Sequence, residues 1–262
     1  MTARHVALRH LLVTEAVGAA PGALVRLDPD KAKHLRKVLR MEWDERVNVL
    51  DGAGRLLEGT LEKAGDLAAV RVGALLEQSA ARPSELELVV ALPKNATMDW
   101  VVEKAVECGA TRVTPVVSSR SVVKPPGGDE TKYVRRWQAI MDEAIEQSER
   151  LWRPLVSAPA PWPEYLRSTR LPGPASFVFL SELRSAKRSE QELLTECWKK
   201  LHGARSSGIR LMIGPEGGFS DAEREELVAS GFQSVSLGNS VLRVETAVVA
   251  ALTLARIVVS VS

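Results

Sequence analysis

The stretch Ile209–Leu237, IRLMIGPEGGFSDAEREELVASGFQSVSL, decides the fold. Ile209–Ile213 is apolar at every position but Arg210, the pattern of a strand covered on both faces. Gly214–Phe219 is a glycine- and proline-bearing loop. Ser220-Asp221-Ala222-Glu223 is a capping box, which predicts a helix over Asp221–Ala229, and Gly231 stops it. Ser234–Leu237 is the next strand. A strand, a helix and a strand in so short a span form the unit of a parallel sheet flanked by helices.

The same alternation extends outward. Upstream, Leu86–Leu92 reads as a buried strand. Met98, Val101, Val102, Ala105 and Val106 then follow a helical spacing that Gly109 closes. Arg112–Val117 is a strand, Thr131–Glu149 a long helix, Ser176–Leu180 a strand and Ser189–Leu201 a helix. Downstream, a helix is predicted over Glu245–Val259. Ala158–Pro163 (APAPWP) is too short to divide domains.

The first eighty residues differ. Short strands are predicted at Arg46–Asp51, Arg55–Leu61 and Ala68–Leu75, the first two joined by the turn Asp51-Gly52-Ala53-Gly54. Asp28 or Asp30 caps a helix over Lys31–Leu39 whose Leu35, Val38 and Leu39 share one face, with the basic residues mostly on the other. Such a segment suggests a small barrel or sandwich. Gln78–Ser84 is polar, broken by Pro83, and reads as a linker. The expected architecture is α/β: a small N-terminal β domain over 1–77 and an α/β domain over 84–262.

With 262 residues, 45% hydrophobic and 26% charged, the composition is that of a folded globular chain rather than a disordered one. The most apolar stretch, Ala247–Ala255, falls far short of the roughly 20 residues a membrane span needs. MTARHVALRH has no apolar core of a secretory signal. Cys108 and Cys197 have no metal or redox spacing and read as reduced thiols, Cys108 in the core, which fits a cytoplasmic location. The scattered His5, His10, His34 and His202 argue against a zinc site. A net charge of +2 excludes a general polycation but leaves two basic segments. Asp30–Arg40 carries five cations against one anion, and Arg120–Arg136 five against two; a solvated surface and a shared polyanion site both remain open.

In open parallel sheets ligands bind beyond the carboxyl ends of the strands. Three strand ends here run into distinctive loops: Gly214–Phe219, Gly238–Arg243 and Ser181-Glu182. No Walker phosphate loop, no dinucleotide fingerprint and no G-x-S-x-G nucleophile elbow is present, so the common nucleotide and hydrolase sites are excluded.

LMIGPEGGFS at Leu211–Ser220, followed by LGNSVLRVETA at Leu237–Ala247, resembles the C-terminal signature of the RsmE family, uridine N3-methyltransferases of small-subunit (16S) ribosomal RNA. Leu92-Pro93-Lys94 with Glu103-Lys104 and Gly109-Ala110, the segment Glu143–Ser148, and His34-Leu35 through Val38-Leu39-Arg40 resemble further blocks of that family in the same order. The resemblance implies a trefoil-knotted parallel sheet domain of the SPOUT superfamily preceded by a small PUA-like β-barrel that binds RNA. It implies S-adenosylmethionine as cofactor, held by Leu180, Glu182, Ile213, Gly214, Pro215, Glu216, Gly217, Gly218, Leu237, Gly238, Asn239, Val241, Leu242 and Arg243. It also implies a homodimer acting on the small ribosomal subunit; the histidine and cysteine spacing and the short apolar stretches add the expectation of no metal and no membrane.

Removing the N3 proton of a uridine builds negative charge, which a cation stabilises; Arg243 is the candidate catalytic residue. Glu216 and Glu245 are candidate bases by type alone. Arg36, Arg40, Lys94, Arg120 and Lys124 are the candidate RNA contacts. The tryptophans read mostly as packing residues, with Trp152 a candidate neighbour of RNA or cofactor. The chain departs from the family at Glu149, where glycine is common, at Ser240, where a basic residue is common, and at Lys33, where a second histidine is common. A SPOUT enzyme acting on transfer RNA or another ribosomal position, and a non-catalytic RNA-binding protein, are the alternatives.

Overall fold

The computed structural model describes residues 8–65, 67–121, 130–168, 176–180, 192–193 and 208–260. They form two compact units, Met1–Pro83 with Asp142–Arg153, and Ser84–Met141 with Pro154–Ser262.

The first unit is a five-stranded sheet. Its strands are β1 (His10–Leu12), β2 (Leu24–Arg26), β3 (Arg46–Leu50), β4 (Arg55–Ala64) and β5 (Leu67–Gln78), in the order β1-β3-β4-β5-β2. β1 runs parallel to β3 and the other pairs are antiparallel. Alternate residues point inward, so Leu57, Gly59 and Leu61 of β4 are buried between their half-exposed neighbours. Leu11, Leu35, Met41, Val49, Leu61 and Val70 fill the core. The predicted turn is pinned by buried Asp51, which accepts the Ala53 and Arg55 amides at 2.8 and 3.0 Å and pairs with Arg55 Nε at 2.7 Å.

The helix expected over Lys31–Leu39 divides. Helix α1 (Pro29–Lys33) is capped by Asp28, and His34–Val38 forms a π turn closed by Leu39 N–H donating to the His34 carbonyl. The wider turn breaks the 3.6-residue repeat. Leu35 stays buried, but Val38, expected on the apolar face, is 64% exposed.

Residues Asp142–Arg153 belong to this unit through polar anchors. Glu146 accepts the Leu12 amide at 2.8 Å and pairs with Lys31 at 2.9 Å. The Arg153 amide donates to the Gly52 carbonyl at 3.0 Å, and the Arg153 guanidinium clasps Asp142, at the segment's other end, with bonds of 2.8 and 2.7 Å. Trp152, a candidate neighbour of RNA or cofactor, packs its ring against Gly54 of the turn.

The second unit is a parallel sheet of β6 (Glu85–Ala91), β7 (Arg112–Val117), β8 (Leu155–Val156), β9 (Ala160–Pro161), β10 (Ser176–Leu180), β11 (Glu192–Leu193), β12 (Gly208–Ile213) and β13 (Gln233–Ser236). The order is β11-β13-β10-β12-β6-β7-β8, with β9 beside β7. Helices α2 (Asn95–Glu107), α4 (Trp162–Ser168), α5 (Asp221–Ala229) and α6 (Val244–Ser260) belong to this unit, as do residues 130–141 of α3 (Glu130–Ser148), whose last turns belong to the first. Buried runs in β6 and β12 match a sheet covered on both faces. α6 packs Val248, Ala251, Leu252 and Ala255 inward and contacts α2, β6 and β12.

Two expectations change here. Glu192–Leu193 pairs with β13 as strand, inside the stretch whose spacing predicts the helix Ser189–Leu201; the rest of that stretch lies outside the described residues. Strand pairing at a sheet edge overrides a short helical pattern. Cys108 is only half-buried, because it sits at the exposed end of α2.

Candidate functional site

Three neighbouring parallel strands end together. Leu180 of β10 pairs in register with Ile213 of β12 and with Val235 of β13, and Ile213 pairs with Val90 of β6. The sheet therefore delivers Gly214–Ser220, Leu237–Arg243 and Leu92–Lys94 to one edge. Ala91 beside Val116 brings Ser118–Ser121, which follows β7, to that edge as well.

The Gly214–Ser220 loop is fixed from several sides. Phe219 is fully buried, with its ring 5.8 Å from that of Trp162. Gly214 lies flat on Phe219, where a Cβ would come within 2.9 Å of the ring. Gly218 has φ +68, favourable for glycine, and its N–H donates to the Pro215 carbonyl at 2.8 Å. Arg120 Nη1 donates to the Gly217 carbonyl at 3.0 Å and reaches that of Phe219 at 3.5 Å. Arg224 donates to the same Phe219 carbonyl at 3.3 and 3.0 Å. Among the described residues, the amides of Glu216 and Gly217 have no partner, so they remain as donors for a ligand.

Glu223 holds the loop's far end. Its buried carboxylate completes the capping box with Ser220 and accepts the Ser119 amide at 2.7 Å. Burial pushes its pKa up, but the Ser119 and Ser220 amides and hydroxyls favour the ionised form and hold it below the usual carboxylate value. The capping box is legible in sequence. The bond to Ser119, 104 residues away, is not, since no periodicity encodes it.

The second bend is built around Ser236 and Gly238. Ser236 Oγ donates to the Gly238 carbonyl at 2.8 Å and accepts its amide at 3.1 Å, holding Gly238 at φ +120. The space beside Gly238 is open, with no atom within 4 Å of where a Cβ would stand. Leu237 and Leu242 are half-buried, Val241 is 50% exposed, and Asn239 and Arg243 are exposed. Arg243 precedes α6, and its carbonyl accepts the Ala247 amide at 2.9 Å. Among the described residues its guanidinium has no carboxylate partner, Glu216 and Glu245 included. The backbone of Leu180 joins this edge, while Glu182 and Lys124 lie outside the described residues.

The remaining cations divide by how they are engaged. Lys94, just before α2, is exposed and has no partner among the described residues. In the first unit, Arg36 donates to the Met41 carbonyl and stacks 4.3 Å over the Trp43 ring. Arg40 is exposed at φ +54 with no partner among the described residues. No group of three metal-ligating side chains and no helix long and apolar enough to cross a membrane occurs among the described residues.

A parallel sheet with glycine bends at one edge, joined to a small β unit, defines a class. Residues 80–256 match the RNA methyltransferase domain family and residues 27–70 the RNA methyltransferase PUA domain family. The chain is 33% identical over 230 residues to ribosomal RNA small subunit methyltransferase E of Synechocystis sp., covering 88% of this chain and 72% of that protein. It is 31% identical over 233 residues to the same enzyme of Mycobacterium tuberculosis, covering 88% and 85%. The chain belongs to the ribosomal RNA small subunit methyltransferase E family. The crystal structure of that enzyme from Neisseria gonorrhoeae bound to S-adenosyl methionine superimposes with a TM-score of 0.75 at 28% identity, covering 94% of this chain and 96% of that one. A Legionella pneumophila protein in complex with the same cofactor gives 0.76 at 27% identity, covering 95% and 96%.

Proposed function

We propose that this chain transfers the methyl group of S-adenosylmethionine to N3 of a uridine in 16S ribosomal RNA. The observation that carries it is the shared edge at which β13, β10 and β12 end, with Arg243, unpaired among the described residues, following the Gly238 bend. The residues present suit the cofactor. Apolar Leu237, Val241 and Leu242 offer a surface for the adenine ring, and the unpartnered Glu216 and Gly217 amides offer donors for its polar groups. Ile213–Gly218, Leu237–Gly238, Asn239 and Val241–Arg243 are the proposed cofactor contacts at the edge that the backbone of Leu180 also reaches; Glu182, which the resemblance adds, lies outside the described residues.

The bound cofactor supplies an electrophilic methyl group on a sulfonium. As the N3–CH3 bond forms, the S–CH3 bond would break to leave the thioether and the N3 proton would pass to water or to a carboxylate such as Glu216 or Glu245, while Arg243 stabilises the negative charge that builds on the uracil. The N-terminus of α6, which begins at the next residue, adds positive potential at the same place. Arg40 and Lys94, both exposed and unpaired among the described residues, are the candidate cations free to take phosphates, while Arg36 and Arg120 already serve contacts within the chain.

The reading includes a trefoil knot in the second domain, a homodimer and a cytoplasmic location, with residues 1–77 as the PUA-like RNA-binding domain and 84–262 as the methyltransferase. Purified small subunits lacking the modification, incubated with the chain and labelled cofactor, test it. An N3 methyl blocks base pairing, so reverse transcription should stop at one uridine of the 16S RNA. Label without such a stop refutes the uridine N3 assignment.

A further inference from the structure

The loop after β7 and the loop after β12 are joined although β6 lies between those strands. Two adjacent residues make the join. Ser119 gives its amide to the buried Glu223 carboxylate, and Arg120 gives Nη1 to the Gly217 carbonyl. The donor loop is itself rigid, because Ser121 Oγ accepts the Ser118 amide at 3.0 Å and the Ser121 amide donates to the Ser118 carbonyl at 3.1 Å. The peptide between Gly217 and Gly218 is therefore held at both ends: its carbonyl by Arg120, its N–H by Pro215. A Cβ at Gly217 would stand only 3.5 Å from Arg120 Cβ, so the two backbones approach closely.

We propose that Arg120 and Glu223 are positioning residues for the methyl donor. They fix the orientation of the Gly217–Gly218 peptide and thereby present the neighbouring Glu216 and Gly217 amides to the cofactor. The proposal rests on the assignment of S-adenosylmethionine to this loop. Fixing those donors before binding removes an ordering cost that would otherwise weaken affinity. Arg120 is exposed and anchors through one nitrogen, so its removal loosens the loop without emptying the core.

The test uses the full chain and S-adenosylmethionine. Titration calorimetry should give Arg120→Met a Kd raised by about tenfold, the loss expected of one charge-assisted hydrogen bond. Arg120→Lys, which keeps one cationic donor, should recover part of that loss. Glu223→Gln should weaken donor affinity in the same direction. In steady state the change should fall on the KM for the donor, with kcat at saturating donor and the salt dependence of RNA binding close to wild type. An Arg120→Met protein that binds the donor normally overturns the proposal. So does one that binds the donor normally but shows a shallower salt slope for RNA, since Arg120 would then be a phosphate contact. Failure of the wild-type chain itself to bind the donor would refute the cofactor assignment instead, so the two failures are distinguishable.

Discussion

Arg243 is an exposed cation with no carboxylate neighbour among the described residues, one residue before a helix N-terminus. A guanidinium kept there without a partner does nothing for stability, so its removal should separate activity from folding. Arg243→Ala should lower kcat at least tenfold, in the direction of the roughly 10²–10³-fold losses that follow removal of an oxyanion donor, while the thermal midpoint stays within about 2 °C. Turnover at the wild-type rate would remove Arg243 from the chemistry. Glu149 makes the complementary case. It follows the end of α3 at φ +56, a left-handed conformation that costs an L-residue roughly 1–2 kcal/mol and glycine little. Its side chain is 66% exposed and only 3.6 Å from His10, a pair that is ionic only with the imidazole protonated and is worth little in solvent. Glu149→Gly should therefore raise stability slightly, by up to about 1 kcal/mol, whereas Glu149→Ala keeps the strain and loses the pair. Urea midpoints in the order Gly, wild type, Ala are expected; a Gly variant below wild type would show the pair outweighing the strain. The resemblance marked this position as a departure, but composition could not say that the backbone turns left-handed there.

At the scale of elements, the sequence is most legible where one local rule suffices. Asp28 caps α1, the capping box starts α5, and alternation lays out β4. It is least legible where a distant group intervenes. Val38 obeys a helical spacing on paper and faces solvent because the π turn shifts its phase. Arg210 reads as the one interruption of an apolar strand, yet it sits in register beside Glu87 of β6 as a buried ion pair at 2.8 Å. Glu223 reads as a cap and also anchors the loop after β7. That second role has a pH signature. Its folded pKa lies below the unfolded value of about 4.5, so its contribution is fully present above that pH and is lost as pH falls through the folded pKa. Glu223→Gln should thus be less stable than wild type at neutral pH, with the difference shrinking below about pH 4.5. Chemical denaturation from pH 7 to pH 3 measures it; a gap independent of pH would assign the loss to packing rather than to the carboxylate.

At the scale of the molecule, periodicity announces a parallel sheet but not which strands touch. The order β13-β10-β12-β6 carries the chain back and forth across the sheet, and nothing in Ser176–Leu180 or Ile209–Ile213 names a neighbour. The proposed site exists only because of that order, since the bends of Gly214–Ser220 and Leu237–Arg243 belong to strands separated in the sheet by β10 alone. A ligand touching both bends binds the folded second unit and not the unfolded chain, so mass action converts affinity into stability. At one hundred times its Kd, S-adenosylmethionine should add about 2.7 kcal/mol. For a chain of this size that corresponds to a rise of roughly 5–10 °C in thermal midpoint. The rise should grow with the logarithm of cofactor concentration, and Arg120→Met should need about tenfold more cofactor for the same shift. Scanning calorimetry across a cofactor series measures both. A midpoint that does not move with cofactor at any concentration would mean that the two bends, though they leave the same edge, enclose no common ligand.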